Sequence, residues 1–292
     1  MSNRILLLGC TGEVGSRLTK KLIDRKFKVF GIRGKKECKI DDLNHTCRSI
    51  NLLDQSVNVG LDEIKPQTLI HSAWITESPF FWDSSLNLEW LEISKKVILD
   101  FEKSGGRNLI ITSTSAEYDW NSTQPMKESD DLNPQSLYGK CKLDLLIWLQ
   151  SRNLSLIWTR TFQQFGLREA NSRFIPTLID NLIKSEKFLV LRPRDIRDFV
   201  YIEDVVNILE LLFLNDNSGI FNIGTGTGIS TDTVAKTITQ LMGIDGLVDY
   251  KPQSSLGTVV ISDSSKLLET IGKFTWTEFE SALIKTIEAR IK

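Results

Sequence analysis

The sequence predicts an α/β fold, a doubly wound parallel sheet with a smaller C-terminal lobe. Two observations lead there. Short apolar runs alternate with segments of helical periodicity over roughly the first 160 residues, the pattern of parallel strands covered on both faces. A turn with glycines at positions 9, 12 and 15 joins the first run to the first periodic segment. A chain of 292 residues accommodates one large domain with an added lobe.

The elements follow in order. Ile5 to Leu8 is a β-type run ended by Gly9, and Leu18, Leu22 and Ile23 recur at helical spacing after it. Strands are expected over Lys28 to Ile32, Leu69 to Ala73, Asn108 to Thr112 and Leu154 to Trp158. Helices are expected over Leu86 to Glu102 and Leu137 to Ser151. Beyond Arg160 the pattern loosens. Helices over Arg173–Ser185, Glu203–Leu214, Thr231–Met242 and Trp276–Ile291, a strand over Phe188–Leu191 and a loop over Gly224–Gly228 form the lobe. The lobe sits at the C-terminal edge of the sheet, where such folds bind ligands, and some of its elements are expected to return to the main sheet.

Composition narrows the function. Lys plus Arg total 36 and Asp plus Glu 37, a net charge of −1, which gives no general attraction to nucleic acid or acidic membranes. No apolar run approaches the roughly 18 residues of a membrane helix, and the apolar start is too brief for a signal peptide. Cysteines at 10, 38, 47 and 141 are scattered, the pattern of a reduced, cytoplasmic protein rather than a disulfide framework. Asn121-Ser122-Thr123 matches a glycosylation sequon that is not expected to be used in that compartment.

The glycine turn carries the first chemistry. Gly9 permits a sharp turn, Gly12 lets backbone approach a pyrophosphate, and Gly15 lets helix and strand pack closely, so the helix N-terminus faces phosphates. This is a Rossmann-type dinucleotide site, although the same spacing also serves purely structural turns. The second strand ends in Ile32-Arg33-Gly34-Lys35-Lys36 rather than in an acid. A guanidinium with nearby ammonium groups suits a 2′-phosphate, so NADP is expected, with NAD the alternative; a solvated basic loop would read the same way.

The second chemistry is at Tyr138-Gly139-Lys140-Cys141-Lys142, where Tyr138 and Lys142 fall four apart on one helix face. A neighbouring ammonium and a positive nicotinamide would lower the tyrosine pKa from near 10 toward working pH. Thr112-Ser113-Thr114-Ser115 ends the preceding strand, with hydroxyls aimed at the cofactor.

Together these residues resemble the extended short-chain dehydrogenase/reductase family, in its NAD(P)-dependent nucleotide-sugar epimerase/dehydratase branch. Asn51-Leu52-Leu53-Asp54 resembles its adenine-contacting segment, with Asn where an acid is usual, and His71-Ser72-Ala73-Trp74 its His-x-Ala-Ala strand end. Asn87 falls at its helix asparagine, Arg197-Asp198-Phe199 is close to its Arg-Asp-Phe/Tyr signature, and Phe221-Asn222-Ile223-Gly224 matches its Tyr-Asn-x-Gly segment. The resemblance implies a dinucleotide against Gly9, Thr11, Gly12, Glu13, Val14, Gly15, Asn51, Leu52, Ser72, Ala73, Trp74, Tyr138 and Lys142, beside the Arg33 already noted. It implies catalysis by Thr114, Tyr138 and Lys142, and binding of the substrate by Thr114, Gln163 and Arg197. Gln163 replaces the family's diphosphate-binding Asn, and Asp119 replaces a glycine. Residues 1–160 would hold NAD(P) and residues 161–292 mainly the substrate.

The family's dehydratases carry Thr-Asp-Glu where this chain has Thr114-Ser115-Ala116, and its decarboxylases place Glu at the Ala116 position. Neither Ser115 nor Ala116 does carboxylate acid–base work, and Glu117, one residue late, is expected to point elsewhere. A 4-ketoreductase of an NDP-4-keto-6-deoxy sugar is the leading expectation. An NDP-sugar 4-epimerase is the alternative, and a non-catalytic nucleotide-binding scaffold comes third. Cys38, His45 and Cys47 lack a second ligand pair, so they are read as loop residues and no metal is expected. His71 is read as a packed residue, and Trp74, Phe80, Phe81 and Trp82 as pocket lining or lid. The helix from Leu143 to Leu149 is apolar on too many sides for one buried face, and the family pairs this helix in dimers; a homodimer is therefore expected.

Overall fold

The computed structural model describes residues 4–54, 56–120, 124–167, 169–253 and 255–291; the sequon at 121–123 lies outside them. The chain runs β1 (Arg4–Leu8), α1 (Glu13–Asp24), β2 (Lys28–Arg33), β3 (His45–Ser49), α2 (Leu61–Ile64) and β4 (Thr68–His71). It continues α3 (Leu86–Lys103), β5 (Asn108–Thr114), α4 (Leu137–Leu149), β6 (Ser155–Thr161) and β7 (Gln163–Phe165). The C-terminal part is α5 (Phe174–Ile183), β8 (Phe188–Val190), β9 (Ile196–Tyr201), α6 (Ile202–Leu214), β10 (Gly219–Ile223), β11 (Gly228–Ser230) and α7 (Thr231–Met242). It closes with β12 (Val248–Tyr250), β13 (Val259–Val260), α8 (Ser265–Ile271) and α9 (Phe279–Ile291).

Seven strands form one parallel sheet in the order β10-β6-β5-β4-β1-β2-β3. Side chains alternate across a strand, so both faces of a buried parallel sheet must be apolar. In β1, Ile5 and Leu7 join the core under α1, α5 and α6, while Leu6 and Leu8 join the core under α3 and α4. The winding reverses between β1 and β4, which opens the crevice where such sheets bind ligands. Gly9 and Ser72 stand at its two sides.

The lobe is built on β7, β9, β11 and β13, with β8 and β12 as a separate pair. β10, from the C-terminal part of the chain, returns to the main sheet beside β6. β3, expected as loop, is polar and largely exposed; it forms by pairing with β2 at the sheet edge. β5 extends two residues beyond the expected end and carries Thr114 as its last residue. Among the described residues, no helix is long and apolar enough to cross a membrane.

Candidate active site

The glycine turn folds as its spacing dictates. Gly9 has φ +85, and a Cβ there would lie 2.9 Å from the Ala73 nitrogen. A Cβ on Gly15 would fall 2.1 Å from the Gly9 carbonyl oxygen, so this glycine is fixed by the turn itself. Gly12 is different: it is exposed, and only the Gly9 oxygen, at 3.2 Å, stands near its missing Cβ. Gly12 caps α1 without any side-chain hydrogen bond, and a helix N-terminus of this kind suits an anion. A dinucleotide pyrophosphate fits this cradle. Gly12→Val should therefore fold normally yet lose dinucleotide affinity. Gly15→Ala should unfold more easily by roughly 1–3 kcal/mol, the usual cost of overpacking. Thermal unfolding and dinucleotide titration check both; normal affinity in folded Gly12→Val would make the turn purely structural.

Around this cradle Ser72 Oγ donates to the Leu8 carbonyl at 3.3 Å. Thr11 and Glu13 are half-buried and Val14 is buried. Arg33 folds back on its own loop, with Nη1 donating to the carbonyls of Gly34 at 3.1 Å and Lys36 at 3.3 Å. Asn51 is exposed and its Oδ1 accepts from the Leu53 N–H at 3.3 Å. The Leu52 side chain turns into the core beneath α3.

Thr114, Tyr138 and Lys142 converge where β5 ends and α4 begins. Ser136 caps α4, accepting from the Gly139 N–H at 3.1 Å. A Cβ on Gly139 would meet the Ala116 carbonyl oxygen at 2.3 Å, so the glycine between the tyrosine and the lysine seats the helix on the strand end. The Thr114 hydroxyl stands close enough to Tyr138 to favour its ionised form, and it accepts from the Ala116 N–H at 3.1 Å. Burial pushes Tyr138 up to about 12, with the Arg173 charge and Thr114 pulling the other way.

The expected lowering of Tyr138 by Lys142 is thus not met in this arrangement. The Lys142 ammonium lies 3.9 Å over the Trp74 ring and donates to the Thr112 carbonyl at 3.3 Å. Burial lowers it to about 7, against the pull of Glu117. His71 is held neutral, lowered to about 3 by burial and by Lys142. It hydrogen-bonds Ser94 Oγ at 2.8 Å, the packed role expected of it.

Aromatic rings cap the tyrosine. Phe81 and Trp82 pack edge-on at 5.0 and 5.9 Å, and Trp74 at 6.5 Å. Asn87 pins this cap: its Oδ1 accepts from Trp74 Nε1 at 2.8 Å and its Nδ2 donates to the Phe81 carbonyl at 2.7 Å. Phe80 points outward, 71% exposed. Rings also link the two halves of the chain, since Trp120 packs edge-on to Trp82 at 5.8 Å and lies 5.4 Å under the Arg197 guanidinium.

Both terminal nitrogens of Arg197 are engaged by protein partners: Nη2 donates to Asp195 and to Thr258 Oγ1, each at 2.8 Å, and Nη1 to two carbonyls. A diphosphate there has to displace some of these bonds. Gln163 lies on β7 opposite Phe199 of β9, two residues from Arg197. The neighbouring motif residues are structural. Asp198 accepts from Thr225, Gly226 and Ser262, and Asn222 accepts from the Tyr118 hydroxyl at 2.8 Å. Glu117 does point away from the pocket, into a buried ion pair with Arg160 at 2.8 Å.

Two charged residues at the site carry no sequence signal. Arg173, just before α5, lies 4.8 Å over the Phe81 ring. Glu169 is a buried carboxyl raised to about 8 by desolvation, near Arg173 and Glu13. Only the packing of the lobe against α1 and α4 brings them in.

A sequence model of the NAD dependent epimerase/dehydratase family matches residues 5–224. A Methanocaldococcus jannaschii protein, provisionally named a UDP-glucose 4-epimerase, is 26% identical over 273 residues, 85% of this chain and 86% of its own length. The structure of a UDP-N-acetylglucosamine 4-epimerase from Methanobrevibacter ruminantium, in complex with UDP-N-acetylmuramic acid, superposes with a TM-score of 0.85 at 23% identity, covering 99% of this chain and 98% of that one. TunA, an NAD dependent NDP-hexosamine 5,6-dehydratase of tunicamycin biosynthesis, superposes with a TM-score of 0.86 at 21% identity, covering 99% and 97%. At those identities the two structures establish the fold.

Proposed function

The chain belongs to the NAD dependent epimerase/dehydratase family, and from that premise we propose that it oxidises and re-reduces C4 of a nucleotide sugar, as a 4-epimerase that retains NAD. One observation carries this reading: Thr114 and Tyr138 stand together at the end of β5, while Glu117, the carboxylate next to them in the chain, is committed to an ion pair with Arg160. A proton can be moved at a hydroxyl oxygen there. Elimination also needs an acid–base pair at the neighbouring carbons, and Ser115 and Ala116 offer none.

In this reading Tyr138 takes the proton of the C4 hydroxyl and later returns it, while Thr114 hydrogen-bonds the same oxygen. Lys142 leaves the Trp74 face for the nicotinamide ribose hydroxyls. Bound in the glycine cradle, the dinucleotide supplies a hydride acceptor and donor. Gln163 and Arg197 hold the diphosphate, Arg197 by exchanging its bonds to Thr258 for phosphate oxygens. Residues 1–160 thus serve the dinucleotide and residues 161–292 mainly the sugar nucleotide. A second copy of the chain packs on α3 and α4, where Leu88 is 51% and Ile147 55% exposed.

A second reading, a 4-ketoreductase drawing NADPH from solution, is favoured by Arg33, Lys35 and Lys36 at the end of β2. Against it, Arg33 is already engaged with its own loop carbonyls. The retained cofactor separates the two. Acid-denatured protein should release NAD at about one per chain. Release of NADP, or an empty protein that consumes NADPH with an NDP-4-keto-6-deoxy sugar, moves the conclusion to the reductase.

A further inference from the structure

We propose that Cys10, His45 and Cys47, with Cys38 as the fourth donor, form a binding site for a zinc-class divalent cation. The site lies outside the active site, between the glycine turn and the edge strand β3. It corrects the sequence expectation in two ways: His45 and Cys47 stand on a strand, not in a loop, and the missing ligand is Cys10, brought in from 37 residues away.

The ligand atoms of Cys10, His45 and Cys47 all lie within 4.8 Å of one another. Cys10 Sγ and Cys47 Sγ are 3.5 Å apart. That is far beyond the roughly 2.0 Å of a disulfide, and close to the roughly 3.8 Å between two thiolates bound at about 2.3 Å around a tetrahedral zinc. The imidazole is oriented for the same purpose. His45 Nε2 is buried without a hydrogen-bond partner, while Nδ1 stands 3.4 Å from the Ile40 carbonyl, the second-shell acceptor a zinc-bound histidine ordinarily has. Cys38 stands at the edge of the cluster, its sulfur 4.0 Å from His45 Nδ1.

Gly31 supplies an independent observation. It sits inside β2 directly opposite Cys47, where a glycine weakens a strand unless something must come close. A Cβ there would lie 2.6 Å from Cys10 Sγ and 3.1 Å from His45 Nε2. The glycine therefore opens the space in which the three donors meet. Three thiolates and one imidazole select a soft, tetrahedral ion over magnesium or calcium. Such an ion would tie the 34–44 segment and β3 to the turn that carries Gly9 and Gly12.

The test is titration of the reduced, metal-stripped full-length protein with cobalt(II), followed by competition with zinc. The expected result is one equivalent bound, with thiolate-to-metal charge transfer and tetrahedral d–d bands, and displacement by zinc. His45→Ala and Cys47→Ser should abolish those bands, whereas Cys141→Ser, at a cysteine in the other core, should leave them unchanged. Circular dichroism confirms that each variant is folded. Absence of stoichiometric cobalt or zinc binding overturns the proposal, as does an unchanged spectrum in folded Cys47→Ser and His45→Ala. A Cys10–Cys47 disulfide in protein purified under reducing conditions would overturn it too.

Discussion

Tyr138→Phe is expected to lower turnover by about 10²–10⁴-fold, the usual contribution of a positioned acid–base group, while dinucleotide affinity stays near that of the parent. The phenyl ring keeps its contacts with Phe81, Trp82 and Trp74, so only the hydroxyl beside Thr114 is lost. The pH profile gives a second readout. Burial holds the phenol protonated, up to about 12, so the rate of alcohol oxidation should rise with pH as the phenol ionises. The variant should lose that dependence along with the rate. Turnover at the parental level would remove Tyr138 from the chemistry.

Lys142→Met should abolish activity and, unusually for a core substitution, stabilise the fold. The ammonium is buried at the end of the sheet with one carbonyl and one ring face as partners. Burial lowers its folded pKa from 10.5 to about 7, which makes the charged form unfavourable in the folded state. Below about pH 7 that cost is fully present; it falls as pH climbs toward 10.5, because the unfolded chain then binds the extra proton. Each pKa unit corresponds to about 1.4 kcal/mol, so after allowing for the Trp74 contact the gain at neutral pH should be roughly 2–4 kcal/mol. The gain should vanish above pH 10.5. Chemical denaturation of both proteins at pH 6.5 and pH 10.5 measures it, and equal stabilities at pH 6.5 would mean that the lysine carries no such burden. A residue kept at this cost fits one held for function rather than for the fold.

The main sheet was legible because its strands are buried on both faces and read as apolar runs, and because Gly9, Gly12 and Gly15 have separable geometric duties. The pair Tyr138 and Lys142 was legible from its spacing. The direction of Lys142 was not, since it depends on Trp74, which stands 68 positions away where the family pattern has a small residue. Arg173 and Glu169 were invisible for the same reason: they reach the site only through the lobe. β3 was missed because an exposed edge strand needs no apolar pattern once β2 offers it a partner. That omission also hid the meeting of Cys10 with His45 and Cys47, since sequence spacing grouped Cys38 with them instead. The Arg-Asp-Phe segment showed the opposite limit: the motif was found, yet its Asp198 and much of the Arg197 hydrogen bonding serve the lobe's own structure.

The central claim is that Thr114 and Tyr138 serve a reversible oxidation at sugar C4 with a retained dinucleotide. Turnover of a sugar nucleotide deuterated at C4 tests it most directly. The account predicts a C4 epimer that keeps its deuterium, with no reduced dinucleotide accumulating in solution. Deuterium lost to solvent, or product formed only with stoichiometric consumption of added NADPH, would contradict it.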